Sequence, residues 1–130
     1  MFELEKVLRI EEISQEYTDG YAIITDKQMI KLLIDNQQNC CENWGYFMSD
    51  DNLEYFIGAD IYDITVTDTA LNTKKLNEHI PYGIEDGGIM FVNIITDKGV
   101  LQFTAYNAHN GYYGHIAYVI SEQLRCEACL

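Results

Sequence analysis

The chain has 130 residues, 48% of them hydrophobic, and 21 acidic against 8 basic residues give it a formal net charge of −13. This length suits one domain with its own core, so we predict a single domain over residues 1–130. Arginine occurs only at Arg9 and Arg125, and the shortage of clustered cations argues against nucleic-acid binding, which depends on phosphate contacts.

Membrane and export signals are equally weak in this sequence. No apolar run is long enough to cross a bilayer, and the first residues lack the basic start and apolar centre of a signal peptide. We therefore expect a soluble, cytoplasmic protein with no membrane partner.

The first third of the chain has the pattern of strands. They are predicted over residues 6–10, 21–25 and 29–34, with reversals at Asp19-Gly20 and Asp26-Lys27. This order predicts an opening antiparallel meander. The third segment is rich in leucine and lysine, so a short helix is the alternative there.

The middle of the chain mixes aromatic, polar and turn residues. Residues 41–48 predict a strand or an aromatic-rich loop, and residues 51–57, with the spacing of a capping box, predict the best helix. Residues 60–69 alternate, with Tyr62, Ile64 and Val66 on one face, and predict a half-buried strand. Residues 70–87 contain the only proline and predict a loop or lid.

The last third contains the clearest hairpin. Residues 89–95 and 100–107 flank Asp97-Lys98-Gly99, which predicts two antiparallel strands. Residues 116–120 predict a last strand, or the start of a terminal helix running to Leu124. The chain as a whole is predicted to be α+β, mainly antiparallel sheet with one or two short helices.

The sequence offers little support for catalysis or a metal. Cys40-Cys41 and Cys126-x-x-Cys129 are expected to be free thiols in a reducing cytosol, with a four-thiolate zinc site as the alternative. The three histidines lack helical ligand spacing, and no serine lies in a nucleophile turn. We predict no enzyme activity, no cofactor and no metal.

The most distinctive segment is residues 105–115, where tyrosines, asparagines and two histidines surround a glycine turn after a strand. Tyrosine offers a flat face for stacking, and asparagine offers both a donor and an acceptor. The segment therefore suits ligand binding, with a decorated hairpin turn as the alternative.

Four motifs in order carry a resemblance to a known family. They are Asn39-Cys40-Cys41-Glu42, Phe56-Ile57-Gly58-Ala59, Thr96-Asp97-Lys98-Gly99, and Tyr106 with Asn110-Gly111-Tyr112-Tyr113. Over about residues 36–120 they resemble the phage anti-Thoeris signal-sponge family, the first-described Thoeris anti-defence proteins.

The resemblance implies a non-catalytic protein, encoded by a phage or prophage, that acts in the host cytoplasm. It would capture glycocyclic ADP-ribose made by bacterial TIR-domain proteins. Some hexameric members of the family also hold cyclic di- or trinucleotides at separate sites, so the resemblance extends the expected ligands to these. The resemblance further implies a homodimer or a trimer of dimers.

The resemblance also suggests which residues bind the ligand. Asn110 would read the ligand with its amide, and the tyrosines would provide stacking surfaces. The full set of predicted ligand-binding residues is Asn110, Gly111, Tyr112, Tyr113, Tyr106, Asn107, His109, Phe103 and Arg125.

The chain departs from the family pattern just before this turn. Thr104 and Ala105 stand where the family is expected to have an arginine and a tryptophan. The pyrophosphate would then need Arg125, a lysine such as Lys98, or backbone amides.

Three other function classes stay open. The net charge suits an acidic protein-binding inhibitor that mimics nucleic acid and blocks a basic partner. A small nucleotide-processing enzyme and a structural protein without a ligand are the remaining alternatives.

Overall fold

Antiparallel strands dominate the computed structural model, which describes residues 4–37, 43–81, 86–109 and 115–130. These residues contain one 3₁₀ helix at Leu53–Phe56 and one α-helix, α1, at Thr73–His79. The strands are β1 Glu5–Ser14, β2 Thr18–Thr25, β3 Met29–Asp35, β4 Asn43–Met48, β5 Asp60–Thr67, β6 Asp86–Thr96, β7 Gly99–His109, β8 Ile116–Ile120 and β9 Arg125–Cys129. The predicted α+β class, mainly antiparallel sheet, is confirmed.

All the strands belong to one sheet with the order β4-β7-β6-β5-β1-β2-β3-β8-β9. The sheet turns back on itself at β1, whose first residues pair with β5 and whose remaining residues pair with β2. We call the strands β4, β7, β6 and β5 layer A, and the strands β1, β2, β3, β8 and β9 layer B. One hydrophobic core contains residues of both layers.

Two bulges mark the corner between the layers. The register of β1 shifts between Val7 and Arg9, and the register of β5 shifts between Ile61 and Asp63. Each shift leaves one exposed residue, Leu8 or Tyr62, outside the regular pairing. A bulge bends a strand and increases its twist, which allows β1 to pass from one layer to the other.

The core is centred on apolar side chains that alternate along the strands. Phe103 is fully buried, and its ring lies 6.3 Å from that of Tyr21 and 6.3 Å from that of Tyr46, measured between centroids. Tyr21 belongs to layer B and the other two rings to layer A. Burial of these faces is the main favourable contribution to folding.

The predicted loop or lid over residues 70–87 is wrong in two places. It contains α1, capped by the Asn72 side chain, which accepts a hydrogen bond from the Lys75 amide, and its last residues begin β6. Leu76 and Ile80 pack α1 on the outer face of layer A. With only these two apolar positions, the segment was too short to show a helical period.

Three further predictions change in the structure. Residues 51–57 form only the short 3₁₀ helix, whose N-terminal Asn52 makes no side-chain capping bond. The predicted β5 face is buried only at Ile64, because Tyr62 lies at the bulge and Val66, near the end of the strand, is exposed. After β8 the chain forms β9 instead of a helix.

The described residues include no helix long and apolar enough to span a membrane.

Candidate functional site

Trp44 of β4 and His115, just before β8, stack where one end of layer A meets layer B. Their ring centroids are 5.2 Å apart and the interplanar angle is 26°. His115 is completely buried, and its Nδ1 lies 2.7 Å from the carbonyl oxygen of Asp35. Because a carbonyl only accepts, Nδ1 carries the proton and donates it.

Asn107 joins this site from the adjacent strand, since it is the register partner of Trp44. It is completely buried, and its Nδ2 donates to the carbonyl oxygen of Leu130 at 3.2 Å. The main chains of Leu130 and His115 exchange two further hydrogen bonds, of 2.7 and 3.0 Å. The Asn107–Leu130 hydrogen bond therefore joins layer A to layer B at this end.

The Trp44 indole contributes an unused donor. Its Nε1 is buried and has no hydrogen-bond partner among the described residues. A buried polar group without a partner is unusual in a folded protein and calls for a reason, such as a bound molecule. The indole N–H is therefore available at the boundary of the two layers.

Tyr106 lies on the opposite face of layer A, beneath α1. Its hydroxyl is 3.1 Å from His79 Nδ1, and the His79 ring stacks on Phe47 with centroids 4.4 Å apart. Burial raises the pKa of Tyr106. Burial, followed by the nearby charge of Lys75, lowers the pKa of His79. Although Tyr106 and Asn107 are adjacent in sequence, their side chains therefore lie on opposite faces of the sheet.

The other described ligand candidates are dispersed. Phe103 is enclosed in the core, whereas Arg125 is exposed at the start of β9, about 16 Å along the strand from Leu130. Lys98 lies at the β6–β7 turn, about 25 Å along β7 from Asn107. Its Nζ instead donates to the Ile57 carbonyl at 3.0 Å. Among the predicted residues whose side chains the structure describes, Asn107 alone lies beside the Trp44 and His115 pair.

The remaining predicted residues fall outside the description. Asn110, Gly111, Tyr112 and Tyr113 lie outside the described residues, and so does the side chain of His109. The backbone of His109 is described as the last residue of β7 and pairs with Asp86. The residues on either side of 110–114 therefore belong to different layers, His109 to layer A and His115 to layer B.

The structure also describes Thr104 and Ala105, which stand where the resembled family is expected to have an arginine and a tryptophan. Thr104 is buried on the α1 side of β7, and its hydroxyl has no hydrogen-bond partner among the described residues. Ala105 is fully buried on the core side.

Metal-binding groups are not assembled in the part of the chain that the structure describes, where no group of three or more His, Cys, Asp or Glu residues could hold an ion. Cys126 and Cys129 are free thiols on β9, and Cys40 and Cys41 lie outside the described residues.

Sequence reasoning did not bring Trp44, His115 and Leu130 into one site. Trp44 was predicted only as part of an aromatic strand, and His115 only as one side of the turn. Their proximity depends on the β4–β7 register and on the pairing of His115 with Leu130, for which the sequence carries no local signal.

Comparison with known families gives one result. A family model described as a domain of unknown function, DUF7448, matches residues 4–119. The chain belongs to the DUF7448 family. No curated protein and no solved structure matches it.

Two of the four resemblance motifs lie together within the DUF7448 match, at the corner of the fold. The amide of Gly58 donates to the Val7 carbonyl, and the amide of Val7 donates to the Ala59 carbonyl. Lys98, at the β6–β7 turn, contacts the same segment through Ile57. These two motifs brace β1 against layer A.

Proposed function

We propose that this protein binds a small cyclic nucleotide of the glycocyclic ADP-ribose type and sequesters it without breaking a bond. The free concentration of the signal would then fall below the level that a Thoeris-type effector needs. The ordered resemblance of the four motifs to the anti-Thoeris signal-sponge family supports this proposal. The ligand would be the bacterial TIR product, and the assembly a homodimer or a trimer of dimers.

The observation that carries the proposal is the position of the two residues that flank the predicted ligand-binding segment. His109 ends β7 in layer A, and His115, stacked on Trp44, begins the return through layer B. The chain between them carries Asn110, Tyr112 and Tyr113, the predicted amide reader and stacking rings. A ligand base stacked on an aromatic ring gains about 1–3 kcal/mol per base.

Recognition of the pyrophosphate needs a donor other than the missing arginine. Within one copy, Lys98 and Arg125 both lie far along their strands from Asn107. Backbone amides, which bind phosphate oxygens in many proteins, therefore become the favoured partners.

Sequestration sets a requirement on affinity. Capture lowers the free signal only when the dissociation constant lies below the signal concentration. A submicromolar constant corresponds to about −8 kcal/mol or better. A pocket completed by a second copy would help to reach it, because ligand pockets enclose most of the ligand surface.

Calorimetric titration with purified glycocyclic ADP-ribose tests the proposal. We expect submicromolar binding, weakened at least tenfold by Asn110→Ala and by Tyr112→Ala, with unchanged circular dichroism. Asn77→Ala, an exposed asparagine on α1, is the matched control and should bind like wild type. Unchanged affinity in both site variants would show that the site lies elsewhere, and no binding by wild type would refute the proposal.

The net charge of −13 favours a second candidate, an inhibitor that mimics nucleic acid. Glu11, Glu12 and Glu16 are exposed at the end of β1 and just after it. Binding of a basic partner through exposed carboxylates should collapse at high salt, because exposed charges are screened, whereas a stacked and buried ligand should persist.

A further inference from the structure

β9 presents an open strand edge. Among the described residues it pairs with β8 alone, in a regular register without a shift. His115 and Leu130 exchange both of their hydrogen bonds, so the alternation of an antiparallel ladder fixes the direction of each backbone group along β9. Cys126 and Ala128 point their N–H and C=O groups toward β8, and Arg125, Glu127 and Cys129 point theirs away from it.

Proline, lysine and a bulge, three of the features that shield natural edge strands, are absent from β9, whose sequence is Arg-Cys-Glu-Ala-Cys. Charged side chains also shield edges, but the two in β9, Arg125 and Glu127, have opposite signs and can pair with those of a second copy. A groove of ≈ 350 Å³ runs along the same hairpin. It is lined by Tyr118, Val119, Ile120, Arg125, Cys126 and Glu127.

We propose that β9 pairs antiparallel with β9 of a second copy, so that layer B continues across a two-fold axis. The inference names an interface for the assembly in the proposed function, but it rests on the geometry of this strand and needs no nucleotide. The DUF7448 match ends at residue 119, before β9, so the interface would belong to a part of this chain outside the family model.

Charge selects the register of this pairing. Arg125 and Glu127 are exposed on the same face, and neither has an ion-pair partner among the described residues. A two-fold axis perpendicular to the sheet leaves corresponding side chains of the two copies on the same face of the joined sheet. If the axis passes beside Cys126, Arg125 of each copy lies opposite Glu127 of the other, which makes two ion pairs. Centring it on Arg125 or on Glu127 would put like charges directly opposite, which is unfavourable.

The selected register makes a specific statement about the two thiols. Cys126 faces its own symmetry mate at a position without mutual hydrogen bonds, where Cα atoms are about 4.5 Å apart. This separation falls at the short end of the range that a disulfide spans, about 4.4–6.8 Å. Cys129 falls level with Gln123, which lies in the turn before β9, so it has no thiol opposite.

Sedimentation equilibrium of charge variants tests the pairing. We expect a wild-type dimer, a dissociation constant raised about tenfold or more by Arg125→Glu or by Glu127→Arg, and a return to near the wild-type value when both changes are combined. Lys74→Glu, on the exposed side of α1, makes the same charge change away from β9 and should leave the constant unaltered. A monomeric wild type, or single variants that dimerise normally, would overturn the inference.

Thiol crosslinking gives a second readout that does not depend on those variants folding. In a Cys40→Ser, Cys41→Ser background, a mild added oxidant should take two electrons from a pair of Cys126 thiols and yield a covalent dimer. Cys126→Ala should abolish this dimer, and Cys129→Ala should retain it. Crosslinking through Cys129, or no crosslinking at all, would overturn the β9 interface. Neither result bears on the proposal of nucleotide binding, which is measured separately.

Discussion

Trp44 and His115 stack across the boundary between the two layers, with ring centroids 5.2 Å apart. The indole comes from β4 in layer A. The His115 imidazole donates to the Asp35 carbonyl, and the His115 main chain exchanges hydrogen bonds with the main chain of Leu130. The pair therefore holds His115, which directly follows the segment that carries the predicted ligand residues, against layer A.

The first prediction compares the contributions of the Trp44 ring and of its N–H group to stability. Trp44→Ala removes the stacked ring and should lower the free energy of unfolding by roughly 3 kcal/mol. Trp44→Phe keeps an aromatic ring and deletes only an N–H group that has no hydrogen-bond partner among the described residues, so it should lower the free energy of unfolding by less than about 1 kcal/mol. Urea unfolding measures both. Tyr17→Ala, an exposed tyrosine, is the control and should change stability by about 0.5 kcal/mol or less. Equal losses for the two Trp44 variants would contradict this assignment.

The second prediction concerns Gly45, which lies opposite Tyr106 in the β4–β7 ladder. A Cβ at Gly45 would collide with the Tyr106 hydroxyl and lie 2.8 Å from its Cζ. Because His79 and α1 hold that ring in place, Gly45→Ala should destabilise the protein by about 1–3 kcal/mol.

A double-mutant cycle checks the cause. Deleting the colliding hydroxyl with Tyr106→Phe should reduce the penalty of Gly45→Ala, as expected for residues in direct contact. Gly20→Ala is the contrasting case, because a Cβ there meets the main-chain carbonyl of Leu32, which a side-chain change cannot relieve. Additive effects of the Gly45 and Tyr106 changes would refute the proposed contact.

The third prediction is a pH dependence that originates at His79. Burial and the charge of Lys75 lower its pKa in the folded protein, whereas Glu78 acts in the opposite direction. Between the lowered pKa and the ordinary value near 6.5 the unfolded chain binds more protons, so stability should fall as the pH drops below about 6.5. The loss should level off once the pH is below the folded-state pKa.

Chemical unfolding between pH 5 and pH 8 measures this contribution. His79→Gln removes the titrating group, so the wild-type and variant curves should converge toward low pH and separate toward neutral pH. Parallel curves would show that His79 titrates alike in both states. The carboxyl group of Asp51, whose pKa is lowered by the Lys75 hydrogen bond and charge, affects stability only at much lower pH.

The sequence predicted the parts of the fold that depend on local alternation. The opening meander and the hairpin around Asp97-Lys98-Gly99 follow from apolar periodicity and turn residues, and all five strands form. The α1 helix was missed because only Leu76 and Ile80 mark its buried side. The burial pattern of β5 was missed because a bulge at Tyr62 changes the phase of the strand.

The site was less predictable because it depends on long-range pairing. Asn107 was predicted from its sequence neighbourhood, but its partners come from the β4 register and from Leu130 at the other edge of the sheet. Tyr106 shows the same limit, since its position beneath α1 required a helix that the pattern did not reveal.

Recovery of the bound molecule tests the central claim most directly. The wild-type protein would be incubated with lysate from cells with an active TIR signalling system, washed, and heated to release its ligand for mass spectrometry. We predict release of an intact cyclic ADP-ribose isomer in about equal molar amount to the protein, with little released from Asn110→Ala. A hydrolysed nucleotide would indicate an enzyme, and the absence of any nucleotide would contradict sequestration.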